Sequence, residues 1–314
     1  GNKERLTARY KYVLNNMVSA KWLDKASAEK YDAKLPAIRP RLSTGQYAGN
    51  KGHIIEAVRK ELNNLGFPDD QLLVGGLIVK TTLDKDAQAA AENAVFTQAP
   101  KKAPDNLHIG LVSIRPGTGE IVAMYGGKDY LQRQLNDATQ GITQAGSTFK
   151  PFALIAALEQ GISLASIWNG DGPKIFDDGI GRPYEVSNYG DKSFGDLTLL
   201  KATASSINTI YVPLGIKVGA DKVIDAARRA GIPETVAMVP SPSVVLGVAS
   251  PRVVDVANSF ATFAANGVRA KPFMVKEVLG ANKGVLYQAR VETEQVFDEN
   301  LHARSSLGLS INLG

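Results

Sequence analysis

Apolar and polar positions divide the chain into segments of distinct period. Leu6, Tyr10, Val13, Leu14 and Met17 recur at helical spacing. Trp22, Leu23, Ala26 and Tyr31 resume it after a break near Ser19, so residues 4 to 34 read as two helical pieces. Residues 35 to 52 carry proline and glycine throughout and read as a connector. A helix over His53 to Leu65 is closed by Gly66 and Pro68. "LLVGGLIVKTTL" (72 to 83) reads as a strand, and "DKDAQAAAENAVFTQA" (84 to 99) as a helix with acids in its first turn, where the dipole favours them.

Two strands, 107 to 114 and 120 to 127, follow, joined by the turn Arg115-Pro116-Gly117-Thr118-Gly119. An almost wholly apolar helix runs from Ser147 to Gly161, and residues 162 to 197 read as irregular. A short helix from about 198 breaks at Ser205-Ser206 and resumes, and a further helix spans 219 to 231. Over 250 to 267, Ser250 reads as cap and Pro251 as first helical residue, with Val253, Val256, Phe260 and Phe263 on one face. Strands at 273 to 279 and near 285 to 291 complete an α/β pattern without internal repeats. The main domain reads from about residue 71 onward, with a helical piece and linker before it.

Composition narrows the chemistry. The 314 residues are 44% hydrophobic and 21% charged, ordinary for a globular chain that builds a sizeable core. Net charge is +5 with both signs mixed, and no basic cluster interleaves with aromatics, so nucleic acid is not an expected partner. With no cysteine, disulfides, thiol catalysis and cysteine metal sites are excluded. His53, His108 and His302 lack metal-ligand spacing. No Gly-x-Ser-x-Gly elbow is present. The glycines of "RPGTGEIVAMYGGK" fit neither phosphate-loop spacing and read as turn and strand end. There is no apolar run of about 18 residues, and the first residues do not read as a signal peptide. The opening "GNKERLTARYKYVLNNMV" looks like the inside of a domain, so the natural N-terminus is expected upstream.

"AGSTFKPF" carries the strongest candidate chemistry. Ser147 and Lys150 are three residues apart, which places them on one helix face. A serine hydroxyl becomes a nucleophile when a base takes its proton, and a lysine serves as that base once burial lowers its pKa. The N–H of Ser147, at the helix start, is free of helical partners and can face an oxyanion. Gly146 allows close approach of a substrate backbone, and Pro151 fits a distorted opening turn. The same residues also fit a capping serine beside a solvated lysine. Ser27-Ala28-Glu29-Lys30 repeats the spacing on a polar helix and reads as a solvated face. Ser206 and Asn208 lie in the polar break and can face one cleft, the hydroxyl relaying a proton and the amide holding a carbonyl or the lysine. An ordinary inter-helix turn fits equally, and Ser310-Ile311-Asn312 shows that the triplet recurs.

The Ser-x-x-Lys and Ser-x-Asn pair is shared by penicillin-binding proteins and class A β-lactamases. Longer blocks resemble class A penicillin-binding proteins. They are "AGSTFKPF", "LVSIRPGTGEIVAMYGGKDY", "LNDATQ", "DLTLLKATASSINTIYVPLG", "VVLGVASPRVVDVANSFATFAANGV", "LIVKTTLDKDAQAAAENAV" and "RYKYVLNNMVSAKWLDKASAEKY". They run in order from residue 5 to about 298.

The resemblance implies the penicillin-binding protein/serine β-lactamase-like transpeptidase fold. Residues 1–70 would be the end of a glycosyltransferase domain with its linker, and 71–314 the transpeptidase domain. That domain's third motif, Lys-Ser/Thr-Gly, is absent from the 314 residues, and "HARSSLGLSINLG" departs from the family. The glycosyltransferase glutamates would lie upstream.

The activity implied is a peptidoglycan D,D-transpeptidase acylated by β-lactams. Ser147 would be nucleophile, Lys150 base, Ser206 proton shuttle, Asn208 anchor for substrate and lysine, and Gly146 a point of substrate approach. No metal or organic cofactor is implied. Expected partners are D-Ala-D-Ala stem peptides, β-lactams and the division or elongation machinery. The expected location is outside the cytoplasmic membrane, with an anchor upstream of residue 1. The alternatives are a D,D-carboxypeptidase or β-lactamase, and a non-catalytic module that binds wall peptide or a partner.

Overall fold

The computed structural model describes residues 2–32, 44–104, 106–177 and 181–299. The sequence readings on 33–43 and 302–314, including His302 and the 310–312 triplet, lie outside these residues. The chain divides into two compact units, Gly1–Gln46 and Tyr47–Gly314.

In the first unit α1 (Asn2–Ser19) and α2 (Lys25–Asp32) form an antiparallel hairpin, pinned by Lys11 to Asp32 at 3.2 Å. Asp24 starts α2 by accepting the Ser27 N–H at 2.8 Å. A short helix, α3 (Thr44–Tyr47), lies at the chain boundary of the two units.

The second unit opens with α4 (Asn50–Asn64), α5 (Asp69–Val74), β1 (Ile78–Thr81) and α6 (Lys85–Gln98). The strand expected over 72–83 is thus only its second half. Asp69 and Asp70 start a helical turn, and Gly76, left-handed at φ 60°, ends it. Asp84 caps α6 by accepting from the N–H groups of Asp86 and Ala87. The expected hairpin forms as β2 (Leu111–Ile114) against β3 (Ile121–Tyr125), with Gly117 and Gly119 left-handed in the turn.

The core is built on α7 (Lys150–Glu159). Every residue from Lys150 to Leu158 is buried, as an all-round apolar helix requires. The stretch expected to be irregular contains short paired strands, β4 (Ile167–Asn169), β5 (Lys174–Asp177), β6 (Pro183–Val186) and β7 (Asp196–Thr198). Then come α8 (Leu199–Ala204), α9 (Asn208–Val218) and α10 (Ala220–Ala230). α10 turns Val223, Ala226, Ala227 and Ala230 toward α7, and these small side chains let the helices approach closely. The last helix, α11 (Val253–Ala264), is capped by Arg252 with Asp255, not by Ser250. The carboxylate takes the Arg252 N–H and guanidinium, a stronger terminus than a serine hydroxyl provides. Its most buried face is Val254, Asp255, Asn258, Ser259, Thr262 and Phe263, so the apolar stripe of Val253, Val256 and Phe260 is only half-buried.

β8 (Val268–Ala270), β9 (Val275–Leu279), β10 (Val285–Gln288) and β11 (Thr293–Gln295) finish the described chain. β9 is the centre of a three-stranded antiparallel sheet between β1 and β10, and β11 pairs with β8. The result is the mixed α/β class expected. Among the described residues no helix is long and apolar enough to cross a membrane.

Candidate active site

The nucleophile candidate sits on a single 3-10 turn, Gly146–Phe149, that runs into α7. Residues three apart eclipse one another in a 3-10 turn, so Ser147 and Lys150 stand on the same side. Phe149 and Phe152 lock the turn from beneath, with buried rings edge-to-face at 4.7 Å. Pro151 costs nothing because first-turn N–H groups have no helical acceptor. Gly146 is left-handed at φ 59°, and open space lies where its Cβ would be.

The sequence break at 205–206 has a specific geometry. The Ile207 N–H bonds to Ala202 O and the Ser206 N–H to Thr203 O, the paired bonds of a Schellman ending. Ser206 occupies its left-handed position, at φ 52°. Glycine usually fills that place, and a side chain there costs about 1 kcal/mol. The cost brings both the carbonyl and the hydroxyl of Ser206 to Lys150. Ile207 is buried, and Asn208 is the first residue of α9.

All four predicted polar residues meet at one amine. Lys150 Nζ is 3.2 Å from Ser147 Oγ, 2.9 Å from Ser206 Oγ, 2.6 Å from Ser206 O and 2.7 Å from Asn208 Oδ1. Lys150 is 3% exposed, whereas Ser147 is exposed. Its four partners are uncharged. Burial alone lowers the amine to about 8. The two carbonyl oxygens can only accept, so they take two N–H bonds. In the neutral amine the remaining lone pair faces the two hydroxyls. The geometry is that of a base poised over an exposed alcohol, with a second alcohol beside it.

Sequence reasoning missed the groups that orient this cluster. Asn208 Nδ2 donates to Ser187 O at 2.9 Å, which fixes the amide with its oxygen toward the lysine. The neighbouring Asn188 is buried and accepts from Thr209 N and Thr209 Oγ1 while donating to Gly170 O and Lys192 O. The loop before β7 is thereby tied to the start of α9. Tyr211, fully buried, lays its ring 5.5 Å from the amine and donates or accepts a bond with Thr203 at 2.7 Å. The spacing of Asn208 and Tyr211 on one helix face was a readable signal for Tyr211; Ser187 and Asn188 offered none. Two grooves, of about 850 and 310 Å³, lie in this unit; none of the four site residues lines either, but Ala145 and Thr148, on either side of Gly146–Ser147, line the smaller one.

Comparison with known proteins identifies the family of the chain. Residues 109–301 match the penicillin binding protein transpeptidase domain. The chain is 36% identical over 299 residues to penicillin-binding protein 1A of Mycobacterium tuberculosis, covering 90% of this chain and 35% of that protein. It is 31% identical to penicillin-binding protein 2D of Bacillus subtilis, covering 77% of this chain and 35% of the other. The chain thus spans about a third of the length of these curated relatives. Among solved structures, PonA1 of M. tuberculosis superposes with a TM-score of 0.74 at 32% identity, over 83% of this chain and 69% of that one. PonA1 in complex with penicillin V gives 0.73 at 34%, over 83% and 70%. Penicillin-binding protein 1A of Haemophilus influenzae shares the fold, with a TM-score of 0.70 at 21% identity over 92% and 56%. The sequence blocks, the fold and the lysine-centred cluster lead to one conclusion: the chain belongs to the penicillin-binding protein transpeptidase family.

Proposed function

We propose that the chain is the acylating part of a peptidoglycan D,D-transpeptidase, with Ser147 as nucleophile. The observation that carries this reading is the dry, uncharged surroundings of Lys150 and its 3.2 Å contact with the Ser147 hydroxyl. Neutral Lys150 takes the Ser147 proton as Oγ attacks the carbonyl of the D-Ala-D-Ala bond. The Ser147 N–H at the head of the turn faces the developing oxyanion. As the tetrahedral centre collapses, the C–N bond breaks, and Ser206 Oγ relays a proton from the ammonium to the departing D-alanine nitrogen. Asn208 holds the amine and offers its amide to the donor peptide. An amine of a neighbouring stem then attacks the ester and loses its proton to Lys150; as the ester C–O bond breaks, Lys150 returns that proton to Ser147 Oγ, which restores the free hydroxyl. A β-lactam would open on Ser147 by the same first step, and the PonA1 complex with penicillin V supports such a site in a relative.

In this reading residues 1–70 are the end of a glycosyltransferase domain and its linker, residues 71–314 belong to the transpeptidase domain, and the protein acts outside the cytoplasmic membrane. The alternative reading is a non-catalytic module that binds wall peptide. Fluorescent penicillin separates the two. The first requires a covalent band that Ser147→Ala abolishes; the second requires no label on the parent chain. Released D-alanine measured against cross-linked dimer then distinguishes transfer to an amine from transfer to water.

A further inference from the structure

The segment after α10 makes two contacts that only glycine permits. Residues Pro242–Leu246 form a 3-10 turn that packs against α9, α7, α10 and the Gly146–Phe149 turn. On one side stands Gly215, on α9 about two turns beyond Asn208. A Cβ at Gly215 would overlap Val245 Cγ1. On the other side stands Gly247, left-handed at φ 71°. A Cβ there would overlap the backbone oxygen and nitrogen of Gly146. The chain then runs beside the approach to the nucleophile. Gly146 N donates to Gly247 O at 3.0 Å and Ala145 N to Ala249 O at 2.9 Å.

Residues 242–249 therefore touch both halves of the lysine cluster. Ser147 and Lys150 come from the turn and α7; Asn208 comes from α9. Nothing in the local sequence of either half sets their separation. We propose that Gly247 and Gly215 are positioning residues for acylation, holding the Ser147 turn and α9 at a fixed separation through the 242–249 segment. Gly247 acts on the backbone residue next to the nucleophile, with no soft side chain between. Gly215 acts through Val245, whose methyl group can move. This proposal rests on the reading of Ser147 as the acylated residue.

The test uses the full chain and fluorescent penicillin, separating the first-order acylation constant from the prior dissociation constant. A misplacement of about 1 Å costs about 100-fold in rate, so Gly247→Ala is expected to lose about 100-fold in the acylation constant, with little change in the dissociation constant. Gly215→Ala is expected to lose less, and Gly215→Ala with Val245→Ala to recover, because the overlapping methyl is gone. Gly267→Ala is the control. That glycine is also left-handed, at φ 78°, with Phe297 O 2.6 Å from a Cβ, but it lies outside the cluster. It should lower the melting temperature and leave the acylation constant alone. Crystal structures of the Gly247 and Gly267 variants should show the 3.2 Å contact of Ser147 with Lys150 lengthened only in the former.

Equal losses of rate in Gly247→Ala and Gly267→Ala at matched stability would overturn the proposal, as would an unmoved contact. If the parent chain takes no label, the acylation reading fails, and the variant structures still decide whether this segment sets the separation.

Discussion

The chain holds two copies of Ser-x-x-Lys, and they differ in everything but spacing. At 27–30 the motif lies on α2, Lys30 is exposed, and the hydroxyl and N–H of Ser27 serve the capping Asp24, holding its carboxyl below the usual range. At 147–150 the lysine is buried under an apolar helix and faces three oxygens from a segment 56 to 58 residues away. The serine there is left to solvent. Identical spacing thus gives a solvated surface in one place and a depressed amine in the other. The difference teaches that the motif supplies proximity only. Desolvation turns an ammonium into a base, and the converging acceptors hold that amine beside the alcohol.

The sharpest way to break this contrast is to remove each lysine in turn. A general base contributes about 10²- to 10⁴-fold, so Lys150→Met should slow penicillin labelling by about a thousandfold, while Lys30→Met leaves it unchanged. Slowing by Lys30→Met, or rapid labelling without Lys150, would refute the assignment.

The pH dependence comes next. With its amine lowered to about 8, Lys150 is mostly protonated at neutral pH. The labelling constant should rise about tenfold per pH unit below 8 and level off above it. A flat profile through that range would exclude Lys150 as the group that titrates. Stability carries the same signature. In the unfolded chain this lysine keeps its proton up to its ordinary value of 10.5. Between about 8 and 10.5 the unfolded state therefore binds more protons, and stability rises with pH. The gain is about 3 kcal/mol from this group, read as the difference between the parent and Lys150→Met in denaturant titrations at pH 7 and 10.5. An identical pH response in both would contradict the burial argument.

The smallest effect sharpens the comparison at Ser206. Ser206→Gly relieves the left-handed strain, so it should stabilise the fold by up to about 1 kcal/mol, while labelling slows through loss of the hydroxyl. Lower stability with unchanged labelling would mean that Ser206 is only a turn residue.

Much of this was legible along the chain. The apolar run 151–158 announced a core helix, and Gly231 and Gly267 marked where helices end. The breaks at 146 and 205–206 were visible as polar interruptions. Other features were not. The cap of α11 went to Arg252 with Asp255, because a carboxylate reaching back to a guanidinium and an N–H outcompetes a serine. The first three residues of the strand expected over 72–83 became helix, because Asp69 and Asp70 favour a first turn there. Ser187 and Asn188 carried no signal, since a carbonyl in a loop is chemically the same at every residue. Gly247 was one glycine among many until Gly146 was seen against it.

By itself, the sequence determined the local terms: hydroxyl and amine three residues apart, a glycine able to turn left-handed before them, and an apolar wall behind. Tertiary structure alone decided which of two equal motifs is dry, and which distant carbonyls surround its amine. The reason is physical. Spacing is a property of the chain, whereas the cost of charging a buried amine depends on what the rest of the fold excludes and what it brings near.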